Sequence, residues 1–291
     1  MQCRKPIVSG QFYPDDKDEC LGEIKRCLSE AALTTELPQK IIAGIVPHAG
    51  WFFSGATAAI VYSAIKKQNK SVDTFIIFGT AHRYPGSEPV VYNKGCWESP
   101  LGQVLIDEQL ADSVSTSGLA IADTSIHRPE HSIEVQVPFI QYLFGDAKIL
   151  PIITPPSKES IKLGEAIGVL LSAEKTKTIV CIGSTDLTHY GPGYGFTPVG
   201  TGLKAIDWAD NVNDKQFIDL AIALEAEKLL VSAEENGSAC GPGAAAAAIA
   251  TVRKLGIQSG LLLSHTNSLK IMLSKLGRSS SESVGYAAIV Y

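Results

Sequence analysis

The chain has 291 residues, of which 45% are hydrophobic and 19% charged, and its formal net charge is −5. This length and apolar share are sufficient for one large α/β domain with a sizeable core. The negative net charge and the scattered basic residues argue against nucleic acid as a partner. The first residues contain no apolar signal segment, and no apolar stretch is long enough to span a bilayer. We therefore expect a cytoplasmic protein without a membrane partner.

In chain order, helical and strand patterns alternate. Helices are predicted over 15–31, 54–67, 107–114, 160–171 and 214–234, with a short helix kinked at Pro138. Strands are predicted over 41–46, 74–78, 148–153, 178–182, 261–263 and 286–290. This alternation predicts an α/β fold with a mostly parallel central sheet that helices cover on both faces. Because no linker or repeat interrupts the pattern, we expect a single domain over residues 1–291.

Six cysteines lie along the chain without a C-x-x-C pair or the density of a disulfide scaffold, and we expect free thiols. Five are assigned to packing or to the surface: Cys3, Cys20, Cys27, Cys96 and Cys181. Cys240 differs because turn-forming residues flank it, and Pro242 and an alanine run follow it. This pattern places it just before a helix N-terminus, where the partial positive charge favours a thiolate. A thiolate is a metal ligand or a nucleophile.

Polar residues follow the predicted carboxyl ends of three strands. His48 comes after the strand over 41–46, His82 after 74–78, and Asp186 and His189 after 178–182. Ligands of parallel α/β sheets bind at these ends. Two histidines with one anionic ligand would form a metal site with open positions, and the anion is Cys240, Asp186 or Glu134. The spacing contains no compact metal motif, so it does not separate a metal site from hydrogen-bonding histidines.

Two further pairs of residues, Asp186 with His189 and His131 with Glu134, each have a functional and a structural interpretation. His189 is a general acid or base that Asp186 orients, or else Asp186 caps a turn and His189 lies at the surface. His131 and Glu134 share one face of a helical turn. They form either a pair that orients a ligand or a structural hydrogen bond.

Several motifs occur in an order that resembles a known family: Pro47-His48-Ala49-Gly50, Gly79-Thr80-Ala81-His82, Glu130-His131-Ser132-Ile133-Glu134, Ser184-Thr185-Asp186-Leu187-Thr188-His189-Tyr190-Gly191 and Cys240-Gly241. They resemble the Memo family, whose prokaryotic members are named AmmeMemoRadiSam system protein B. The fold of that family is similar to the class III extradiol dioxygenases, which are non-haem iron(II) enzymes that open catechol rings. The resemblance implies a fold of that type here.

The resemblance also implies roles for individual residues. His48, His82 and Cys240 would be the metal ligands, and His189 would be the acid/base group. Asp186 and His131 would line the same cleft. Cys240 stands where the dioxygenases use a carboxylate, and its softer thiolate favours copper(I), zinc or iron.

The function expected on this basis is a mononuclear metal protein with redox or oxygen-dependent chemistry on a small-molecule substrate. Iron(II) is the expected metal, with copper or zinc as alternatives. The family name implies AMMECR-type and radical-SAM proteins as partners. Two other readings stay open. One is a metal-free enzyme that uses Cys240 as its nucleophile and a histidine as base. The other is a non-catalytic module that binds a peptide or protein in the same cleft.

Overall fold

A central sheet with helices on both faces organises the described part of the chain, residues 3–291 of a computed structural model. In chain order the strands are β1 (Cys3–Arg4), β2 (Ala43–Val46), β3 (Thr74–Gly79), β4 (Val90–Val91), β5 (Cys96–Ser99), β6 (Gly102–Leu105), β7 (Ile121–Ala122), β8 (Lys148–Ile153), β9 (Ile179–Ser184), β10 (His189–Tyr190), β11 (Leu261–Asn267) and β12 (Ser283–Val290).

The helices are α1 (Lys17–Glu30), α2 (Trp51–Gln68), α3 (Glu108–Thr116), α4 (Val137–Phe144), α5 (Lys158–Ala173), α6 (Leu203–Trp208), α7 (Lys215–Ile222), α8 (Ala226–Asn236), α9 (Pro242–Lys254) and α10 (Ser268–Leu276). A short 3₁₀ helix, Glu134–Gln136, precedes α4, and a π-helical turn, Ala209–Asp214, joins α6 to α7. Within the described residues, no helix is both long and apolar enough to cross a membrane.

The predicted α/β architecture is confirmed, and its parallel part lies at the centre of the sheet. The strand order is β10-β12-β2-β9-β3-β8-β4-β7, and β11 also pairs with β12. The pairs β2–β9, β9–β3 and β3–β8 are parallel, whereas β12 and β4 run antiparallel to β2 and β8 at the two flanks. The central strands are buried along their whole length apart from Lys148, which explains their continuous apolar sequences.

The two faces of the sheet carry separate apolar layers. One layer joins the sheet to α1, α2 and α4, and the other joins it to α3, α5, α7, α8 and α9. In the second layer α5 and α9 approach closely, because Gly164 and Gly168 face the backbone of α9. The Thr251 hydroxyl donates to the Gly164 carbonyl at 3.0 Å. The alanine run that starts α9 is buried, so small residues on both helices permit this packing.

Two expectations about the chain are wrong. The helix predicted over 214–234 is broken between α7 and α8, where the buried Leu224 has a φ of 59°. The cysteines are not all free, because Cys3 and Cys96 form a disulfide with their Cα atoms 4.4 Å apart. Parallel pairing of β1 with β5 places these two residues opposite each other. The bond joins positions 93 residues apart in sequence, a pairing that no local motif shows.

The α5–α9 contact predicts opposite effects of the same substitution at two helical glycines. A Cβ at Gly164 would collide with the Ala247 carbonyl, whereas a Cβ at Gly22 in α1 would meet no atom within 4 Å. Glycine to alanine within a helix gains about 1 kcal/mol of intrinsic propensity. We therefore expect Gly22→Ala to raise the free energy of unfolding by up to that amount. Gly164→Ala should lower it by about 1–3 kcal/mol through overpacking.

Urea denaturation of both variants beside the wild type measures the two changes. Gly22→Ala is the matched control for helix propensity. A Gly164→Ala variant as stable as Gly22→Ala would contradict the close packing of α5 on α9.

Candidate metal centre

The carboxyl ends of β2, β3 and β9 form one cleft of about 350 Å³. His48, His82, Asp186 and His189 all reach it from these strand ends, and His131 reaches it from the segment before α4. The parallel register causes this convergence, since Val46 lies opposite Ser184 and Phe78 opposite Gly183. The structure therefore brings all five residues together, as the strand-end argument predicts for His48, His82, Asp186 and His189, and as the family resemblance implies for His131.

Hydrogen bonds fix the tautomer of His48. The Ser184 hydroxyl donates to the Ser132 carbonyl at 2.7 Å and so uses its single proton. The Ser184 oxygen can then only accept from Nδ1 of His48, which lies 3.2 Å away. Burial, followed by the neighbouring His82 and His131, holds the pKa of His48 well below its usual range. His48 is thus a neutral imidazole with the lone pair on Nε2.

His82 is oriented in the same sense by a carboxylate. Its Nδ1 lies 3.0 Å from Oε1 of Glu130, and its backbone N–H donates to Oε2 at 3.1 Å. Glu130 also accepts the backbone N–H groups of His131 and Ser132. Burial acts to raise the pKa of Glu130, but the hydrogen bonds from His82 and Ser132 outweigh it and hold that pKa at about 2. The ionised Glu130 therefore directs Nε2 of His82 away from itself.

Cys240 lies directly before α9, as expected, and its sulfur contacts the free nitrogen of His48. The distance from Sγ to Nε2 of His48 is 3.2 Å. Burial, followed by the Asp186 carboxylate, raises the pKa of the Cys240 thiol. The raised pKa favours the thiol, against the thiolate that the helix N-terminus predicts. The thiol donates its proton to Nε2 of His48.

Two groups of donor atoms in this region have metal-ligand spacing, with His48 common to both. His48, His82 and His131 form one group, and His48, Asp186 and Cys240 form the other, each with its donor atoms within 4.8 Å of one another. Among the described residues, the trio His48, His82 and Cys240 does not meet this criterion. His48 nevertheless shares one donor group with His82 and the other with Cys240, its two predicted co-ligands. Neutral imidazole nitrogens beside a sulfur suit iron, copper and zinc, so the residues fit a transition metal.

Asp186 and His189 both line the cleft, but they do not hydrogen-bond each other. Oδ1 of Asp186 accepts the backbone N–H of His48 at 2.7 Å and that of Ala49 at 3.3 Å. Nδ1 of His189 donates to the Leu187 carbonyl at 3.1 Å, which leaves Nε2 as the nitrogen that can exchange a proton with a ligand. The expected orientation of His189 by Asp186 is therefore wrong. Asp186 instead fixes the loop that carries His48.

Glu134 lies outside the cleft and does not pair with His131. It forms a buried salt bridge to Arg4 at 2.7 Å and accepts the backbone N–H groups of Ile7 and Val8. Glu134 is thus an anchor for the N-terminal segment and not an anionic ligand of the metal centre. His131 stacks on His82, with ring centroids 4.8 Å apart.

A third donor group, made of Asp210, Asp214 and His265, lies behind the loop that carries His189. Asp214 accepts the backbone N–H of Thr188 and a hydrogen bond from His265, each at 3.0 Å. Lys270 forms an ion pair with Asp210. Donors from the protein itself occupy these carboxylates, so the group serves as an anchor for the loop.

Sequence reasoning did not assign Glu130, Ser184 or Asp214 a role. Both Glu130 and Ser184 stand inside the family motifs, one position from His131 and two positions from Asp186, and this proximity was the available signal. Their partners lie 48 residues away or further along the chain, at His82 and His48. Only the folded contacts identify these residues as the ones that orient the histidines.

A buried histidine beside this region predicts a pH dependence of stability. Nε2 of His127 donates to the Val90 carbonyl at 3.0 Å, and burial lowers the pKa of His127 to about 3, from 6.5 in an unfolded chain. Between these values the unfolded chain binds a proton that the folded chain does not. Stability should therefore fall as the pH drops from about 6.5 towards 3, by about 1.4 kcal/mol per pH unit for this histidine.

Urea denaturation between pH 4.5 and 7 measures this slope. His127→Gln keeps a side-chain N–H for Val90 but has no titrating group, so it should remove the contribution of one proton from the slope. Equal slopes for variant and wild type would show that His127 does not remain neutral in the folded protein.

Comparison with known proteins identifies the family of the chain. The sequence model of the Memo-like protein family matches residues 4–290. A MEMO1 family protein of Pyrococcus furiosus is 37% identical over 295 residues, which cover 99% of this chain and 98% of the relative. One from Thermococcus onnurineus is 36% identical over 298 residues, or 99% of each chain. One from Methanosarcina mazei is 35% identical over 293 residues, covering 100% of this chain and 99% of the relative. The chain belongs to the Memo family.

Proposed function

We propose that this protein holds a single transition-metal ion in the cleft and performs redox or oxygen-dependent chemistry on a small molecule. Iron(II) is the favoured metal, with copper or zinc as alternatives. One observation carries the proposal. Independent hydrogen bonds hold Nδ1 of both His48 and His82, and Nε2 of His48 lies 3.2 Å from the sulfur of Cys240.

In this proposal His48, His82 and Cys240 hold the metal, and His131 is a neighbouring donor. Two ligands on one ion, bonded at 2.0–2.1 Å for nitrogen and 2.3 Å for sulfur, lie about 3.5 Å apart in a tetrahedral site. The observed 3.2 Å between Cys240 and His48 is close to that spacing. Binding would displace the thiol proton, which in the metal-free protein occupies the position between these two atoms.

The other residues of the cleft have roles that follow from their contacts. A bound ion supplies Lewis acidity and, in the case of iron or copper, one-electron redox chemistry. His189 accepts or returns a substrate proton at Nε2, since Nδ1 is held by Leu187. Asp186 keeps the backbone of His48 in place. Phe12 packs edge-on against His131 and shields that side of the cleft from water.

The contacts of Cys240 argue against the nucleophile alternative. Burial raises the pKa of its thiol, whereas a nucleophilic cysteine needs a thiolate. The cleft lining also contains four histidines but not Cys240. Partnership with AMMECR-type and radical-SAM proteins depends on the family resemblance alone and stays a prediction.

Metal content of anaerobically purified protein tests the proposal. We expect near-stoichiometric metal in the wild type after iron(II) is offered, and its loss in His48→Ala, His82→Ala and Cys240→Ala. The cobalt(II)-substituted wild type should show a thiolate charge-transfer absorption band that Cys240→Ser lacks. His189→Ala is the matched control, because His189 lies in the same cleft but should keep the metal. A wild type that binds neither iron(II), copper(I) nor zinc would overturn the proposal.

The contact between Glu130 and His82 predicts a smaller, graded effect. Glu130→Gln keeps the size of the side chain but replaces the carboxylate that orients His82. Loss of such a partner typically lowers metal affinity about 10–100-fold. A competition titration with a chelator measures the change. Glu98→Gln is the control, since Glu98 is a carboxylate outside the cleft that pairs with Lys5. Equal affinities of Glu130→Gln and wild type would show that His82 is not a ligand.

A further inference from the structure

The cleft has a second side whose chemistry differs from that of the histidines. We call it the acidic wall, formed by Glu282, Tyr194 and Tyr286. Phe53 and Met272 lie beside it in the lining. Among the described residues, no lysine or arginine lines the cleft, whereas Asp186 and Glu282 both do. The lining therefore has two carboxyl groups and no permanently cationic side chain, although His82, His131 and His189 line it as well.

Glu282 is held in place by a turn that leaves room for it. The backbone N–H of Gly193 donates to Oε1 of Glu282 at 2.6 Å. A Cβ on Gly193 would collide with that carboxylate, and a Cβ on Gly191 would lie 2.7 Å from Cγ of Glu282. Gly191 also has a φ of 132°, which disfavours any side chain. The two glycines thus allow the turn to pack against Glu282.

The carboxylate of Glu282 retains an oxygen for a ligand. Oε1 accepts from Gly193, but within residues 3–291 Oε2 receives no hydrogen bond and Glu282 has no salt-bridge partner. The phenol of Tyr194 lies close by: burial, followed by Glu282 and Asp186, raises its pKa, so it stays a neutral hydrogen-bond donor. Aromatic faces beside a carboxylate attract cations.

The geometry points to a substrate class: a molecule whose aromatic or apolar stem carries a cationic amine or guanidinium group, with Glu282 as the residue that pairs with the cation. This assignment rests on the proposed function, because the other end of the stem meets the metal ligands His48 and His82. A volume of about 350 Å³ accommodates such a small molecule. An anionic group at the acidic wall would face Glu282 with no lysine or arginine to pair with it, so the same wall disfavours it.

A matched series of phenols tests the assignment, because its members share a stem and differ in charge. The probes are tyramine (cationic), 4-(2-hydroxyethyl)phenol (neutral) and 4-hydroxyphenylacetate (anionic). Dissociation constants are measured by ligand-observed NMR on metal-free and metal-loaded wild type at low ionic strength. On metal-free protein we expect tyramine to bind about tenfold more tightly than the neutral phenol, and the acid to bind most weakly.

Glu282→Gln isolates the charge. Its amide oxygen still accepts from Gly193, so the turn keeps its anchor. The variant should weaken tyramine binding about tenfold and leave the affinity of the neutral phenol unchanged. Three results would overturn the assignment: no tyramine binding at millimolar concentration, equal affinities of amine and acid on the metal-free wild type, or equal effects of Glu282→Gln on amine and alcohol. Metal binding is measured separately. If the protein shows the charge preference but binds no metal, the proposed function is overturned and the assignment of Glu282 is not.

Discussion

Parallel pairing at the centre of the sheet is the constraint on which the cleft depends. β2, β9 and β3 lie side by side and end at the same edge, so the chain leaves the sheet three times within a few ångströms. His48 and His82 occur within three residues of a strand end, and Asp186 two residues after one. Side chains from distant parts of the sequence can meet there without a long loop. The packed layers on both faces then hold these strand ends rigidly.

Buried carboxylates accept hydrogen bonds from backbone N–H groups that the loops at this edge of the sheet would otherwise leave unpaired. Loops that cross the sheet edge expose backbone N–H groups at a depth that water does not reach, and each unpaired group costs about 1–3 kcal/mol. Glu130, Glu134 and Asp186 each accept two or more backbone N–H groups, and Asp214 accepts one from Thr188 together with the ring of His265. Each carboxylate is in turn stabilised by the donors around it. The hydrogen bonds that satisfy the backbone at Glu130 and Asp186 therefore also orient His82 and hold the loop of His48 in place.

This double role of the buried carboxylates explains which features of the fold and of the site can be predicted from the sequence. The strands and the positions of His48 and His82 are predictable, because apolar runs and the residues that follow them are local features. The pairing of Glu130 with His82 is not local, and neither is that of Arg4 with Glu134 or Cys3 with Cys96. The break between α7 and α8 at Leu224 is also not predictable from the pattern, since a leucine with positive φ has no sequence signal.

Cys240 shows why the chemistry of a residue is harder to predict than its position. The sequence correctly places it before α9, where a helix N-terminus favours the thiolate. Burial and the nearby Asp186 act in the opposite direction and are stronger. The resulting thiol hydrogen-bonds His48 and keeps sulfur and nitrogen 3.2 Å apart in the absence of a metal. A proton thus occupies the position proposed for the ion, and the ligands stay organised without the electrostatic cost of a buried bare thiolate. Under the proposed function, an ion bound at this position would replace the thiol proton.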